Sequence, residues 1–100
     1  MTIVYIIKST RTTDDTEFYK VPDPTEYLGL LSELKAAGKL ISTEWYWDPN
    51  GEFHAYILKF VDQAAVDQWL NDPRRTVLLA DMNAYNNEHL ITSEVIINEE

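Results

Sequence analysis

The chain has no cysteine, only three glycines and four prolines in 100 residues, and eight basic residues against seventeen acidic ones. Without cysteine there is no disulfide, no thiolate metal site and no cysteine nucleophile. Three glycines leave no room for a glycine-rich phosphate loop, and no Gly-x-Ser-x-Gly elbow occurs. A net charge of −9 repels phosphate backbones, and the best basic cluster, Arg74-Arg75, is too small to reverse that, so no nucleic-acid partner is expected. No run approaches the ~20 apolar residues that a membrane span takes, so no membrane partner is expected either. The start, Met1-Thr2-Ile3-Val4-Tyr5, carries neither a basic leader nor a small-residue cleavage site, and the expected location is cytoplasmic. His54 and His89 stand far apart without a short ligand spacing, so neither a metal nor a cofactor is expected.

What is present is apolar. With 45% hydrophobic and 12% aromatic residues the chain can offset its ordering entropy, which excludes a disordered tail. Its length allows one domain, residues 1–100, with a folded surface of roughly 5,800 Å² against roughly 17,000 Å² unfolded.

Ile3 to Lys8 is β-branched, apolar on both faces and too short for a helix, so it reads as a strand. The polar stretch Ser9 to Thr16 leads to Glu17-Phe18-Tyr19-Lys20-Val21, which suits either a short edge strand or a packed loop. Asp23-Pro24-Thr25-Glu26 starts a helix, with Asp23 as cap, Pro24 in the first helical position and Glu26 completing a capping box. Tyr27, Leu28, Leu30, Leu31 and Leu34 follow at helical spacing, and Gly38 ends the helix, which spans about 24–37. Leu40 to Asp48 and Glu52 to Val61 flank Pro49-Asn50-Gly51 as a hairpin. A three-residue loop there sets Trp47 against Phe53, Tyr46 against His54, Trp45 against Ala55 and Glu44 against Tyr56. Asp62 caps a short helix through Trp69 and Leu70. Asp72-Pro73 then starts another, with Leu78, Leu79, Met82 and Tyr85 on one stripe. Leu90 to Ile97 is the last strand.

The order β-α-β-β-α-β, with the second helix broken, is the ferredoxin-like α+β arrangement: a four-stranded antiparallel sheet with helices on one face and the first and third strands central. Those two strands are apolar on both faces, with Phe53, Ala55 and Ile57 on one side of the third and Tyr56, Leu58 and Phe60 on the other. A single helix layer covers one face only. The uncovered face would expose several hundred Å² of apolar surface, so a second copy packed sheet to sheet is expected. The alternative cover is the chain's own Ser9 to Val21 segment.

This order in 100 residues, the Trp-rich second strand and the segment Trp69-Leu70-Asn71-Asp72-Pro73 before a longer helix resemble the dimeric α/β barrel superfamily. Antibiotic-biosynthesis-monooxygenase-like domains are its small members. The resemblance spans nearly the whole chain as architecture, through loose motifs. It implies that two subunits pair their sheets and that each holds a pocket between sheet and helices. It extends to cofactor-independent oxygenases, isomerases, decarboxylases and haem-degrading enzymes, so the fold alone names no reaction. The haem-degrading relatives use an Asn on the first strand. Ile3 to Lys8 has none, and no His follows Trp69 before His89, so haem is not expected.

His54 is the best candidate for chemistry, because histidine titrates near neutral pH and can act as general acid or base. The hairpin register above places it on one face with Tyr46, Tyr56 and Glu44, which would orient it. The plain alternative is an exposed cross-strand partner near a turn. His89 suits the C-terminal end of a helix dipole. Trp45, Trp47 and Trp69 are expected in the core. Arg74-Arg75 opposes the dipole in a first helical turn, which suits an anion site or, more simply, a surface pair with an acidic neighbour. Two functions follow: a homodimer whose pocket binds or transforms a small apolar or aromatic molecule without cofactor, or a non-catalytic acidic interaction or inhibitor protein that engages a basic partner surface. A cavity lined by His54 would favour the first.

Overall fold

The structure is a computed structural model and describes residues 1–13 and 15–100; Asp14, in the polar stretch after the first strand, lies outside the described residues. The elements run β1 (Ile3–Thr10), α1 (Thr25–Ala36), β2 (Leu40–Trp47), β3 (Phe53–Phe60), α2 (Gln63–Asn71), α3 (Pro73–Glu88) and β4 (Thr92–Glu99). The strands form one antiparallel sheet in the order β2-β3-β1-β4. The two strands with apolar residues on both faces, β1 and β3, are the central ones, as the pattern requires.

Helix ends follow from local chemistry. Pro24 sits one position earlier than expected, as the N-cap rather than the first helical residue, because the Asp23 carboxylate reaches past it to accept from the Thr25 N–H (3.1 Å) and hydroxyl (2.7 Å). At the other end Gly38 takes φ 73°. There its N–H donates to Lys35 O and the Lys39 N–H to Leu34 O, the paired bonds that close a helix through a left-handed glycine. Asp62 accepts from the Ala65 N–H (2.9 Å) and Asp72 from the Arg74 N–H (2.9 Å), capping α2 and α3. Asp72 is extended because the following Pro73 disfavours the helical region, and this breaks the second helix in two.

The hairpin departs from the expected register by one residue. Trp47 pairs with His54, Tyr46 with Ala55, Trp45 with Tyr56 and Glu44 with Ile57. The Asp48 side chain is the cause. It accepts from the Glu52 N–H (3.0 Å) while its backbone N–H donates to Phe53 O (3.1 Å), so Glu52 joins the loop. Gly51 at φ 74° closes this longer turn. A side chain there would also strike the Arg11 guanidinium, whose Nε donates to Gly51 O (2.6 Å). Because strand side chains alternate, a slip of one residue exchanges faces. Glu44 and Tyr46 therefore lie on the sheet face away from the helices, and Trp45 and Trp47 join His54 and Tyr56 on the helix side.

The core sits between the helices and one end of the sheet. Ile3 and Tyr5 from β1, Leu58 and Phe60 from β3, Leu30 and Leu34 from α1 and Val66 and Trp69 from α2 are buried there. Trp69 meets Tyr5 edge-on at 5.0 Å and Phe60 at 5.3 Å. The expectation of three core indoles holds for Trp69 alone. Trp45 and Trp47 are 55% and 59% exposed, since they sit at the hairpin end of the edge strand β2, whose other end is buried in the core at Leu40.

Among its described residues the segment between β1 and α1 forms no strand, and Phe18, Tyr19 and Val21 do not lie under the outer face. It crosses the helix side instead. Phe18 packs on His54 and Trp47, and the Tyr85 hydroxyl donates to Glu17 O (2.6 Å). The outer face carries Val4, Ile6, Ile57, Tyr46 and Ile96, partly or largely exposed, around a buried Ala55, with Lys8 lying over Phe53 at 4.3 Å.

Candidate functional site

The alternation that places Phe60 and Leu58 under α1 and α2 continues along β3 to Tyr56 and His54, and along β1 to Ile7 and Ser9. There the cover changes: α1 and α2 give way to α3 and the 18–24 segment, and the layers part. A cavity of about 250 Å³ opens between them. Its sheet wall is Ile7, Ser9, Trp45, His54 and Tyr56. Tyr27 and Leu28 of α1 and Leu78, Leu79 and Met82 of α3 face it, and Phe18, Tyr19 and Val21 roof it. The lining is chiefly apolar and aromatic, with a few polar groups, the composition of a small-molecule site.

His54 stands among three rings: Phe18 at 4.3 Å, Trp47 at 4.9 Å and Trp45 at 5.3 Å between centroids. Its Nδ1 is buried without a hydrogen-bond partner among the described residues. Burial holds its pKa below the ordinary histidine value, so the imidazole is neutral at pH 7. Since its folded pKa lies below its unfolded one, His54 withdraws stability as pH falls from about 6.5 through the folded value.

Two more polar groups of the wall are buried without partners among the described residues, Tyr19 Oη and the Oδ1 of Asn86, a residue only 5% exposed. Buried polar atoms in native proteins nearly always have partners, so three such atoms among the residues lining one cavity are uncommon. Beside them Trp69 Nε1–H donates to Tyr27 Oη (3.3 Å), and Tyr56 lines the same wall. Burial raises the pKa of both tyrosines, so both remain phenols at neutral pH. Tyr56 also stacks on Trp45 at 4.4 Å.

Of the four residues expected to act together, His54 and Tyr56 line the cavity. Glu44 and Tyr46 do not: they face the opposite side of the sheet, where Tyr46 stacks on Phe53 at 5.9 Å. His89 ends α3, with Nδ1 2.9 Å from Tyr85 O and its ring stacked on Tyr85 at 3.9 Å, which is a capping role. Arg74 has the expected acidic partners, Glu33 (2.7 Å) and Asp72 (2.9 Å). Among the described residues no group of three His, Asp or Glu side chains is placed to hold a metal ion, and no helix is long and apolar enough to cross a membrane.

Residues the sequence reading missed come mostly from the roof and from α3. Phe18 and Tyr19 carried a signal, two aromatics inside a polar stretch. Leu78, Leu79 and Met82 were legible as an apolar stripe but not as a cavity wall. Asn86 sits in a run of polar residues and had no signal at all.

No protein-family model and no curated protein matches the chain. Solved structures do. The cofactor-independent oxygenase SnoaB from Streptomyces nogalater superposes with a TM-score of 0.62 at 13% identity, covering 99% of this chain and 92% of that one. An antibiotic biosynthesis monooxygenase gives 0.59 at 16% identity, covering 97% of each chain. A dabb family protein with a ferredoxin-like fold from Mesorhizobium loti gives 0.55 at 12% identity, covering 100% and 98%. At these identities the likeness is one of fold. The chain therefore has the ferredoxin-like architecture of small proteins similar to the antibiotic-biosynthesis monooxygenases.

Proposed function

We propose that the protein works as a homodimer and that each cavity binds a flat, hydroxylated aromatic molecule, from which His54 accepts a proton without help from a cofactor. The observation that carries this reading is the neutral histidine with an unpartnered buried nitrogen in an aromatic-walled cavity. At the ~30 Å³ a water occupies in the liquid, 250 Å³ corresponds to about eight waters, a space suited to two fused rings. Trp45 and Tyr56 offer faces for such rings to stack on. A proton passed from the bound hydroxyl to His54 leaves an electron-rich anion. That suffices to begin an isomerisation, and with O₂ as oxidant it is also the opening step of a cofactor-independent oxygenation. SnoaB, whose fold the chain shares, is described as such an oxygenase. The non-catalytic alternative has no comparable support, since it needs neither the cavity nor the histidine.

The outer sheet face supports the dimer. The isolated chain exposes 6290 Å², roughly 500 Å² more than its mass requires, and is a slab only 17 Å thick. A stable interface takes ~800 Å² per partner, and the outer sheet face is the surface proposed to provide it.

Titration with 2-naphthol, followed by tryptophan fluorescence, tests the site. Saturable quenching is expected at neutral pH, with affinity falling only as the pH drops through the His54 midpoint, which burial holds below the ordinary histidine value, and the ring becomes charged. Removal of the acceptor in His54→Ala loses roughly 1 kcal/mol, about fivefold in affinity, and flattens that pH dependence. Absence of binding, or binding that His54→Ala and pH leave unchanged, contradicts the reading.

A further inference from the structure

Arg74 and Arg75 are adjacent in the first turn of α3 and are used in opposite ways. Arg74 is bound by two carboxylates, Glu33 and Asp72. Arg75 is half-buried in the cavity wall and has no carboxylate partner among the described residues. Its guanidinium lies over the Trp69 ring at 4.4 Å, and Nη1 makes one long hydrogen bond to Leu70 O (3.4 Å). A guanidinium has five N–H donors in a planar fork, and stacking on an indole occupies its face but not its edge. The Tyr27 hydroxyl lies at the edge of the same indole, where it accepts from Trp69 Nε1–H (3.3 Å).

In a chain with seventeen acidic residues, a cation set in an apolar wall without one is an unusual arrangement. Half-burying a guanidinium sacrifices hydration, and a carboxylate brought into the same space recovers it through charge-assisted, two-pronged hydrogen bonds. The surface charge of −9 opposes an anionic ligand only weakly at a distance, because salt screens it beyond ~8 Å. Contact with Arg75 inside the cavity decides the outcome.

We infer that the ligand is an aromatic acid, whose carboxylate is held by Arg75 and the Tyr27 hydroxyl while its ring hydroxyl lies at His54. The two groups stand at opposite ends of one run of wall residues. Arg75 covers Trp69, Trp69 bonds Tyr27, Tyr27 and Tyr56 line the cavity together, and Tyr56 stacks on Trp45 beside His54. The molecule would thus carry its acid and its hydroxyl on opposite edges of a fused ring system. This rests on the cavity being the ligand site and adds to it the anionic group and the residue that selects for it.

The test compares 2-naphthol with 6-hydroxy-2-naphthoate by calorimetric titration of the full chain. The wild type is expected to bind the acid at least tenfold more tightly. Arg75→Gln should abolish that preference while leaving 2-naphthol affinity within threefold. Arg75→Lys, which keeps the charge but not the fork, should retain part of it, and Arg74→Gln all of it. Equal affinity of the wild type for the two compounds, or a preference that survives Arg75→Gln, overturns the inference and leaves the cavity reading standing. Failure of both compounds to bind overturns both. Should Arg75→Gln not fold, the wild-type comparison and the Arg75→Lys loss decide the matter.

Discussion

Replacing Trp69 with alanine is expected to lower the unfolding free energy by about 3–5 kcal/mol, the cost of removing a large buried aromatic side chain and leaving its cavity. Trp69 is 1% exposed, lies between Tyr5 and Phe60 on one side and the Arg75 guanidinium on another, and donates its indole N–H to Tyr27. It ties α2 to both central strands and to α1. Against the ~5–15 kcal/mol that holds a domain of this size together, the loss removes a large share of the margin, and partial unfolding at room temperature is expected. Trp45→Ala is the internal comparison. More than half of that side chain is exposed, so its removal should cost no more than about 1 kcal/mol. Urea denaturation of the two variants measures both. Near-equal losses would mean that Trp69 is not the keystone of the packing described above.

The second large effect concerns the outer sheet face. Ile6 pairs with Ile57 on one side and Ile96 on the other, at the middle of that face. In a two-fold dimer a single substitution appears twice, so Ile6→Glu would place two carboxylates in one apolar interface. An unpaired buried charge costs several kcal/mol, and at 1.4 kcal/mol per factor of ten the dissociation constant should rise by about a thousandfold or more. Analytical ultracentrifugation at tens of micromolar should show the wild type at twice its 11.6 kDa chain mass and Ile6→Glu at the single mass. A wild type that sediments as one subunit contradicts the dimer and leaves Ile6, Ile57 and Ile96 as a wet apolar patch.

Why the architecture was legible, and the site only half so, follows from the physics involved. Strand and helix periodicity, the caps Asp62 and Asp72 and the break at Pro73 are local signals, and each produced the element it announced. The pairing register is not local. It turned on whether the Asp48 carboxylate would bond the Glu52 N–H, one hydrogen bond of about 1 kcal/mol, and that bond moved Glu44 and Tyr46 to the far face. His54 and Tyr56 kept their face relative to each other because they lie two residues apart on one strand. The path of residues 15–24 was beyond reach for a similar reason. It depends on long-range contacts such as Tyr85 Oη with Glu17 O and Phe18 with His54, which no window of the sequence contains. Arg74 and Arg75 were indistinguishable as letters; the helix turn alone sends one to Glu33 and the other to the cavity.

The most direct measurement is the titration of the His54 imidazole by NMR, alone and with 2-naphthol bound. Burial among Phe18, Trp45 and Trp47 should place its midpoint below 6.5 in the free protein. A ligand hydroxyl that donates to the ring favours the neutral form, so binding should lower the midpoint further. An ordinary midpoint that the ligand leaves in place would show that His54 is neither buried as described nor in contact with what the cavity holds.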